Sequence, residues 1–305
     1  MLQRDAFIEQ ITKKLEKDKS IYFLSADFGA AALDSLRERF KSNFLHCGIS
    51  EQAMLDVASG LALEGNKVFV YAMAPFISLR SIEQAKCGAG LMNLPICLIS
   101  VGIGLGYADA GPTHYSTEDF ACFRSIVGSS IYTPADVATT KLVAKEMLEN
   151  PKFSYVRLDR EVLPNLSPEI NKNEYEEGFK IFGNVDENKI VLISHGKMLH
   201  KCLEIYKKEP DKFICIDIFR SKPFPKNLPK TINKCKGIVV VDEQTPSGNL
   251  SACIFEGFSE QNYFPKIISK NLPEMYVFEN GGREYLLNKF GLSNEEILKA
   301  TKKIT

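Results

Sequence analysis

Tryptophan is absent from this 305-residue chain, and histidine occurs only four times. The first absence decides nothing, but others exclude whole classes of function. An excess of one charge is missing, because 38 Lys plus Arg balance 38 Asp plus Glu. No bulk field therefore draws the chain to nucleic acid or to an acidic membrane surface. The short basic clusters Lys13-Lys14 and Lys207-Lys208 fall on amphipathic helix patterns and read as solvated faces. There is no signal peptide and no apolar run long enough to span a bilayer, so the expected location is the cytoplasm. The eight cysteines are scattered through apolar segments without a C-x-x-C pair. That spacing argues against structural zinc and for free thiols in a reducing compartment. A phosphate-cradling loop ending in Gly-Lys-Ser/Thr occurs nowhere. No metal site is expected within the chain.

What is present is an alternation of strand-like and helical segments over a chain that is 45% hydrophobic, long enough for two domains. Apolar runs at 21–26, 67–72, 95–101, 129–132 and 153–158 alternate with helical patterns at 3–17, near 30–40, and at 50–64, 78–91, 117–125 and 135–149. Strands apolar on both faces and separated by helices predict a parallel sheet covered on both sides. Residues 160–178 interrupt the pattern with Leu163-Pro164, Ser167-Pro168 and a polar stretch from Asn171 to Glu177. A second series follows, with strands at 189–194, 212–217, 237–242 and 275–279 and helices at 196–208, 247–259 and 293–303. The expected fold class is α/β, with a first domain over 1–165, a linker over 166–178 and a smaller second domain over 179–305.

Ligands of such sheets collect in loops at the carboxyl ends of strands. Three loops stand out: Asp27-Phe-Gly29, Ala72 to Ser78, and Gly102 to His114. The third contains Gly102, Gly104, Gly106 and Gly111, but its G-x-G-x-G spacing opens no helix and does not match a dinucleotide fingerprint. Between the first two loops lies a lone carboxylate, Glu51, in the first turn of an apolar helix. Ser50 is placed to cap that helix, and Ala53, Met54, Val57, Ala58 and Leu61 form its expected buried face. A first-turn acid favours the helix dipole, so Glu51 alone is compatible with a purely structural role.

The ordered motifs carry more. Ser25-Ala-Asp-Phe-Gly29, Gly48-Ile-Ser-Glu-Gln-Ala-Met54, Phe76-Ile-Ser-Leu-Arg-Ser-Ile-Glu-Gln84, Gly104-Leu-Gly106, Gly111-Pro-Thr-His114, Glu118 to Arg124, and Tyr155-Val-Arg-Leu-Asp-Arg160 follow one another along the first half. Together they resemble the pyrimidine-binding domain of transketolases and of thiamine-diphosphate enzymes more broadly. Ile193-Ser-His-Gly196, Val241-Asp-Glu243 and Gly248-Asn-Leu-Ser251 resemble the transketolase C-terminal domain, which is chiefly architectural. A Gly-Asp-Gly…Asn metal motif of the diphosphate-binding domain is missing, and Met1 lies three residues ahead of the matching segment. The resemblance therefore implies the C-terminal subunit of a split transketolase, with diphosphate and Mg²⁺ bound mainly through an N-terminal partner chain.

It also implies roles. Thiamine diphosphate is activated when its own 4′-amino group deprotonates the thiazolium, and a carboxyl group hydrogen-bonded to pyrimidine N1′ drives the required tautomer. Glu51 corresponds to that group, and Gly48 and Ile49 lie beside it in the cofactor-binding segment. Phe76 corresponds to the aromatic that stacks on the aminopyrimidine. His114 corresponds to a histidine facing the donor's carbonyl and hydroxyl oxygens, as hydrogen-bond donor or proton shuttle. His46 can line the pocket. Arg4 and Arg160 align with arginines that grip sugar phosphate, a task suited to a planar fork of donors; Arg157 and Arg124 are adjacent candidates, Arg124 as a brace. His195 and His200 are assigned structural or surface roles.

Two departures bear on the substrate. Transketolases place an Asp directly before Gly-Pro-Thr-His; here Ala110 stands there and Asp109 one residue earlier. A histidine that contacts phosphate in the family falls on Ser100. The cofactor half of the site reads as intact and the sugar half as remodelled, so the substrate is expected to be a sugar phosphate or a nucleotide-linked sugar. The expected assembly is a dimer of heterodimers. Competing readings are another thiamine-diphosphate reaction, of the 1-deoxyxylulose-5-phosphate synthase or 2-oxoacid dehydrogenase β-subunit kind, and a non-catalytic subunit that stabilises its partner.

Overall fold

A computed structural model describes residues 1–26, 29 and 31–304. The first half runs α1 (Gln3–Leu15), β1 (Ile21–Ala26), α2 (Ala32–Arg39), β2 (Phe44–Gly48), α3 (Glu51–Leu63) and β3 (Lys67–Met73). It continues through α4 (Ala74–Ile77), a 3₁₀ turn (Leu79–Ser81), α5 (Ile82–Gln84) and a π turn (Ala85–Gly90). β4 (Ile96–Val101), α6 (Asp119–Ser125), β5 (Ser130–Tyr132), α7 (Val137–Glu149) and β6 (Ser154–Leu158) complete it. The second half contains α8 (Lys172–Glu177), β7 (Lys180–Phe182), β8 (Ile190–Ser194), α9 (Gly196–Lys208), β9 (Phe213–Asp217) and β10 (Arg220–Lys222). It ends with α10 (Leu228–Thr231), β11 (Gly237–Val241), α11 (Leu250–Ser259), β12 (Ile267–Lys270), α12 (Arg283–Lys289) and α13 (Asn294–Thr301).

Among the described residues these strands form two sheets, in the orders β10-β5-β6-β4-β3-β1-β2 and β12-β11-β8-β9-β7. Pairing is parallel except at β10–β5 and β7–β9. The α/β expectation is met. β4, at the centre of the first sheet, is buried along its whole length because helices cover both faces. In that sheet the chain goes from β1 outward to β2, then returns past β1 to β3. The order of strands reverses there, between β1 and β3, and in open α/β sheets ligands bind beyond the carboxyl ends of the strands at such a point.

Several expectations are corrected. The segment read as one helix over 78–91 is helical without a break over 79–90, but it changes type along its length, from 3₁₀ (Leu79–Ser81) to α (Ile82–Gln84) to π (Ala85–Gly90). The expected strand 275–279 is not a strand: Met275, Tyr276 and Phe278 are exposed and only Val277 is buried. The sheet edge is formed instead by β12, paired to β11 from Ile238↔Ile267 to Val241↔Lys270. The 166–178 stretch is not wholly irregular. Asn171 and Glu174 form a reciprocal capping box that starts α8, and Gly178, at φ 86°, ends it. On α3 the buried face is Glu51, Met54, Leu55, Ala58 and Ala62, so Ala53 and Val57 point outward and Leu61 is half-buried. This helix is apolar nearly all round, so periodicity left its rotation ambiguous.

Buried charges join the two halves. Arg283 of α12 donates through Nε and Nη2 to both carboxylate oxygens of Glu243, at 2.9 and 2.5 Å, and through Nη1 to Asp159 Oδ1 at 2.8 Å. Burial pushes the Asp159 carboxyl up, but the adjacent guanidinium outweighs it and holds it below its ordinary value. Arg157, also fully buried, pairs with Asp119 at 2.7 Å and approaches His195, which contacts Asp242 at 3.1 Å. The Gly102–Gly106 run lies against this seam. A Cβ on Gly102 would fall 2.0 Å from the Tyr107 ring, and one on Gly104 2.5 Å from the Glu243 carboxylate. These glycines serve close approach of side chains, and their φ values of 86° and 58° suit no other residue without strain.

Candidate active site at the carboxyl ends of the first sheet

β2 ends at Gly48, whose φ of 67° turns the chain into α3 and sets Glu51 at the first position of that helix. Ser50 stands at the N-cap, yet its hydroxyl donates to Cys47 O and does not cap the helix, which corrects the expected role. Glu51 is 3% exposed, a carboxylate almost removed from water. Its Oε2 accepts from Arg80 Nη1 at 2.6 Å. The Arg80 guanidinium lies 4.1 Å from the centroid of the Phe76 ring. Phe76 in turn meets the His114 imidazole edge to face, with centroids 5.4 Å apart and planes at 70°. The structure thus links Glu51, Arg80, Phe76 and His114 in one continuous set of contacts. They come from three different strand ends, after β2, β3 and β4.

His114 is half-buried, with Nδ1 2.9 Å from the Thr113 hydroxyl. When that hydroxyl donates, Nε2 carries the ring proton and is the donor. The loop that bears His114 is fixed by the Gly104–Ser116 bridge, 2.9 Å in both directions, and by Tyr115 Oη donating to Ala108 O at 2.9 Å.

A second cluster gathers Arg4, Asp109 and Arg160. Arg160 stacks over the Tyr107 ring at 4.4 Å and pairs with Asp109 at 3.2 Å. Burial pushes the Tyr107 phenol up to about 12 against the opposing charges of Arg160 and Arg4. Arg4 pairs with Asp5 at 3.2 Å and lies beside Tyr71, whose phenol burial pushes up further. Arg160 and Asp109 are exposed and Arg4 is half-buried, so the cluster faces solvent from a buried aromatic base. Tyr71 and Tyr107 were not singled out in the sequence; their signal was only that each sits beside a strand end bearing a candidate arginine.

Other candidates are placed elsewhere. His46 projects from the edge strand β2 into an open depression shared with Gly29, Arg37 and Phe44. Ile49 is 76% exposed. Ser100 is fully buried in β4 and donates to Val156 O at 3.1 Å, so it is committed to the sheet. Arg157 is fully buried and occupied by Asp119; Arg124 braces the halves through Gly248 O at 2.8 Å and Glu256 at 2.5 Å. His195 and His200 are structural, the latter 2.7 Å from Ala135 O with its pKa lowered by burial. Asp27 and Phe28 of the first candidate loop lie outside the described residues. Arg80, quoted only as part of a longer motif, was missed; its i, i+4 spacing from Phe76 was the available clue.

The Glu51 carboxyl suits a planar, basic heterocycle: it is almost removed from water, and the flat cationic group that bonds to it also lies over the Phe76 ring. The aminopyrimidine of thiamine diphosphate has those properties. Comparison with known proteins gives the same class. Residues 1–165 match the model of the transketolase pyrimidine-binding domain, and residues 183–297 that of the transketolase C-terminal domain. This chain belongs to the transketolase family.

Its relatives include one of the subunits of the apulose-4-phosphate transketolase of Phocaeicola vulgatus, 28% identical over 301 residues that cover 97% of this chain and 95% of that one. The 6-deoxy-6-sulfo-D-fructose transketolase subunit SqwH of a Clostridium species is 24% identical over 307 residues, 99% of this chain and 94% of that one. Against single-chain relatives such as mouse transketolase-like protein 1, the chain spans about half their length, 48% in that case. A split-gene transketolase solved as an inactive β4 tetramer has the same fold, with a TM-score of 0.85 and 23% identity over 100% of this chain and 98% of that one.

Proposed function

We propose that this chain is the pyrimidine-binding subunit of a split transketolase-like enzyme, moving a two-carbon ketol unit between sugars with thiamine diphosphate and Mg²⁺. The observation that carries the reading is the buried Glu51 carboxyl in contact with the Arg80–Phe76–His114 set at the point where the strand order reverses. The diphosphate and Mg²⁺ are held mainly by an N-terminal partner chain. Among the described residues no group of three or more His, Cys, Asp or Glu is placed to hold a metal.

When bound, thiamine diphosphate supplies the electron sink for cleaving the bond beside a ketone. Glu51 offers its carboxyl to pyrimidine N1′, in a site where exclusion of water strengthens the bond. Phe76 orients the ring by stacking, and Gly48 and Ile49 form the approach to Glu51. His114 donates to substrate oxygens or moves a proton at Nε2. Arg4 and Arg160 hold an anionic group of the sugar, with Asp109 setting the position of the Arg160 fork. His46 lies at the outer margin.

The two split-enzyme relatives are named for a phosphorylated and a sulfonated sugar, which favours a substrate carrying a terminal anion. Burial of Ser100 where the family has a phosphate-contacting histidine favours a sugar other than the usual pentose phosphates. Exposed apolar residues on and beside α3, among them Val57, Leu63, Leu79 and Leu91, support assembly with the partner chain and into a dimer of heterodimers.

The test is co-purification with the diphosphate-binding chain, followed by calorimetric titration with thiamine diphosphate and Mg²⁺. Saturable binding by the pair, with ketol transfer lost in Glu51→Ala, supports the reading. Unchanged transfer in Glu51→Ala overturns it.

A further inference from the structure

The contacts of Arg80 are unusual for a side chain at the rim of a site. Its guanidinium makes both interactions that the aminopyrimidine requires of this chain: a hydrogen bond to Glu51 Oε2 at 2.6 Å and a stack on Phe76 at 4.1 Å. The group is flat, cationic and rich in N–H donors, as a protonated aminopyrimidine is. It competes for the same carboxylate and the same ring. Arg80 is also free to leave. Its side chain is 39% exposed while the side chain of Glu51 is 4% exposed, and it sits on the three-residue turn Leu79–Ser81. That turn opens the helical run that continues to Gly90, and the Ser78 just before it is at φ −95°, ψ −83°, off the helical track. The outward path is into solvent.

We propose that Arg80 is an internal stand-in for the cofactor's pyrimidine, which holds Glu51 and Phe76 in register and must swing out before thiamine diphosphate seats. This rests on the function proposed above. Two physical consequences follow. While Arg80 is docked, the buried carboxylate keeps a counter-ion and the isolated chain is spared an unpaired charge. Cofactor affinity is reduced by the fraction of molecules in which the guanidinium is docked, because binding draws only on the open population. The contact joins an ion pair with one exposed partner to a cation–π stack, each individually modest. The expected reduction in affinity is therefore about 5- to 10-fold.

The experiment is titration of the complex with its partner chain by thiamine diphosphate and Mg²⁺, measuring Kd and association rate for the wild type, Arg80→Ala and Arg80→Lys. Arg80→Ala is expected to bind about 5- to 10-fold more tightly and to associate faster. Arg80→Lys keeps the charge without the planar fork and is expected to fall between the two. Methylguanidinium added to Arg80→Ala should raise the apparent Kd of the cofactor by competing for the vacated position, with a smaller effect on the wild type. Equal or weaker cofactor binding by Arg80→Ala, alongside normal binding by the wild type, overturns the stand-in and makes Arg80 a partner of the cofactor. If neither protein binds cofactor, the proposed function fails and this proposal fails with it.

Discussion

Replacing Arg283 with Met tests whether the two halves are clamped by charge. In the wild type the guanidinium serves Glu243 at 2.5 and 2.9 Å, Asp159 at 2.8 Å and Glu161 at 3.3 Å, and Asp159 and Glu243 are almost fully buried. Methionine fills similar space but leaves two buried carboxylates without their counter-ion. Breaking a buried pair from one side costs about 3–5 kcal/mol. For a chain of this size each kcal/mol lowers Tm by roughly 2 °C, so scanning calorimetry at pH 7 should show a loss of about 6–10 °C. The loss must also depend on pH. The folded Asp159 carboxyl lies below its ordinary value in the wild type, so it contributes stability above about pH 4 that fades as pH falls through its folded pKa. In Arg283→Met the guanidinium no longer opposes burial, and only the Glu161 backbone N–H and the more distant Lys197 charge still do. The Asp159 pKa rises relative to the wild type, so protonation relieves the penalty at higher pH. The gap between the two proteins should therefore narrow from about pH 7 to about pH 4.5. A loss below about 2 °C at pH 7, or a gap that does not narrow, refutes the clamp.

Gly102→Ala should destabilise the protein by about 1–3 kcal/mol in urea titration, since the new Cβ collides with Tyr107 at a left-handed φ. Arg160→Ala should raise KM for an anion-bearing sugar by roughly 10- to 100-fold with kcat little changed, as expected for one charged hydrogen-bonding group. His114→Ala should lower kcat by about 10²-fold or more while leaving cofactor titration intact.

The layered α/β order was legible because runs such as Ile96–Val101, apolar on both faces, have few alternatives to a central strand. Glu51 and His114 were singled out through ordered motifs, and the structure connects them through Arg80 and Phe76 in one contact set. The rotation of α3 was not, since a helix with Ala53 and Val57 outward and Met54 and Leu55 inward offers apolar residues on every side. Nor was the strand Ile267–Lys270, whose half-exposed residues carry a weaker pattern than the decoy Tyr276-Val-Phe278. Arg157 looked like an anion-binding arginine because sequence shows its neighbours and not the Asp119 carboxylate that consumes it. Arg80 was hidden by scale: its partners lie 29 and four residues away, and only folding brings the first of them near.

The crossing of β10 bears on how such a chain can be cut and recombined. β10 comes from the second half, yet pairs with β5 and closes one edge of the first sheet, with Lys222 Nζ donating to Arg124 O at 2.8 Å. A chain ended at Gly178 would expose the free hydrogen-bonding edge of β5, a template for unwanted strand addition. Swapping second halves between homologues at the polar 166–178 stretch would graft a foreign edge strand onto a native sheet. The modular boundary is therefore staggered: continuous along the chain, interleaved in space, and inherited as one piece through Lys222.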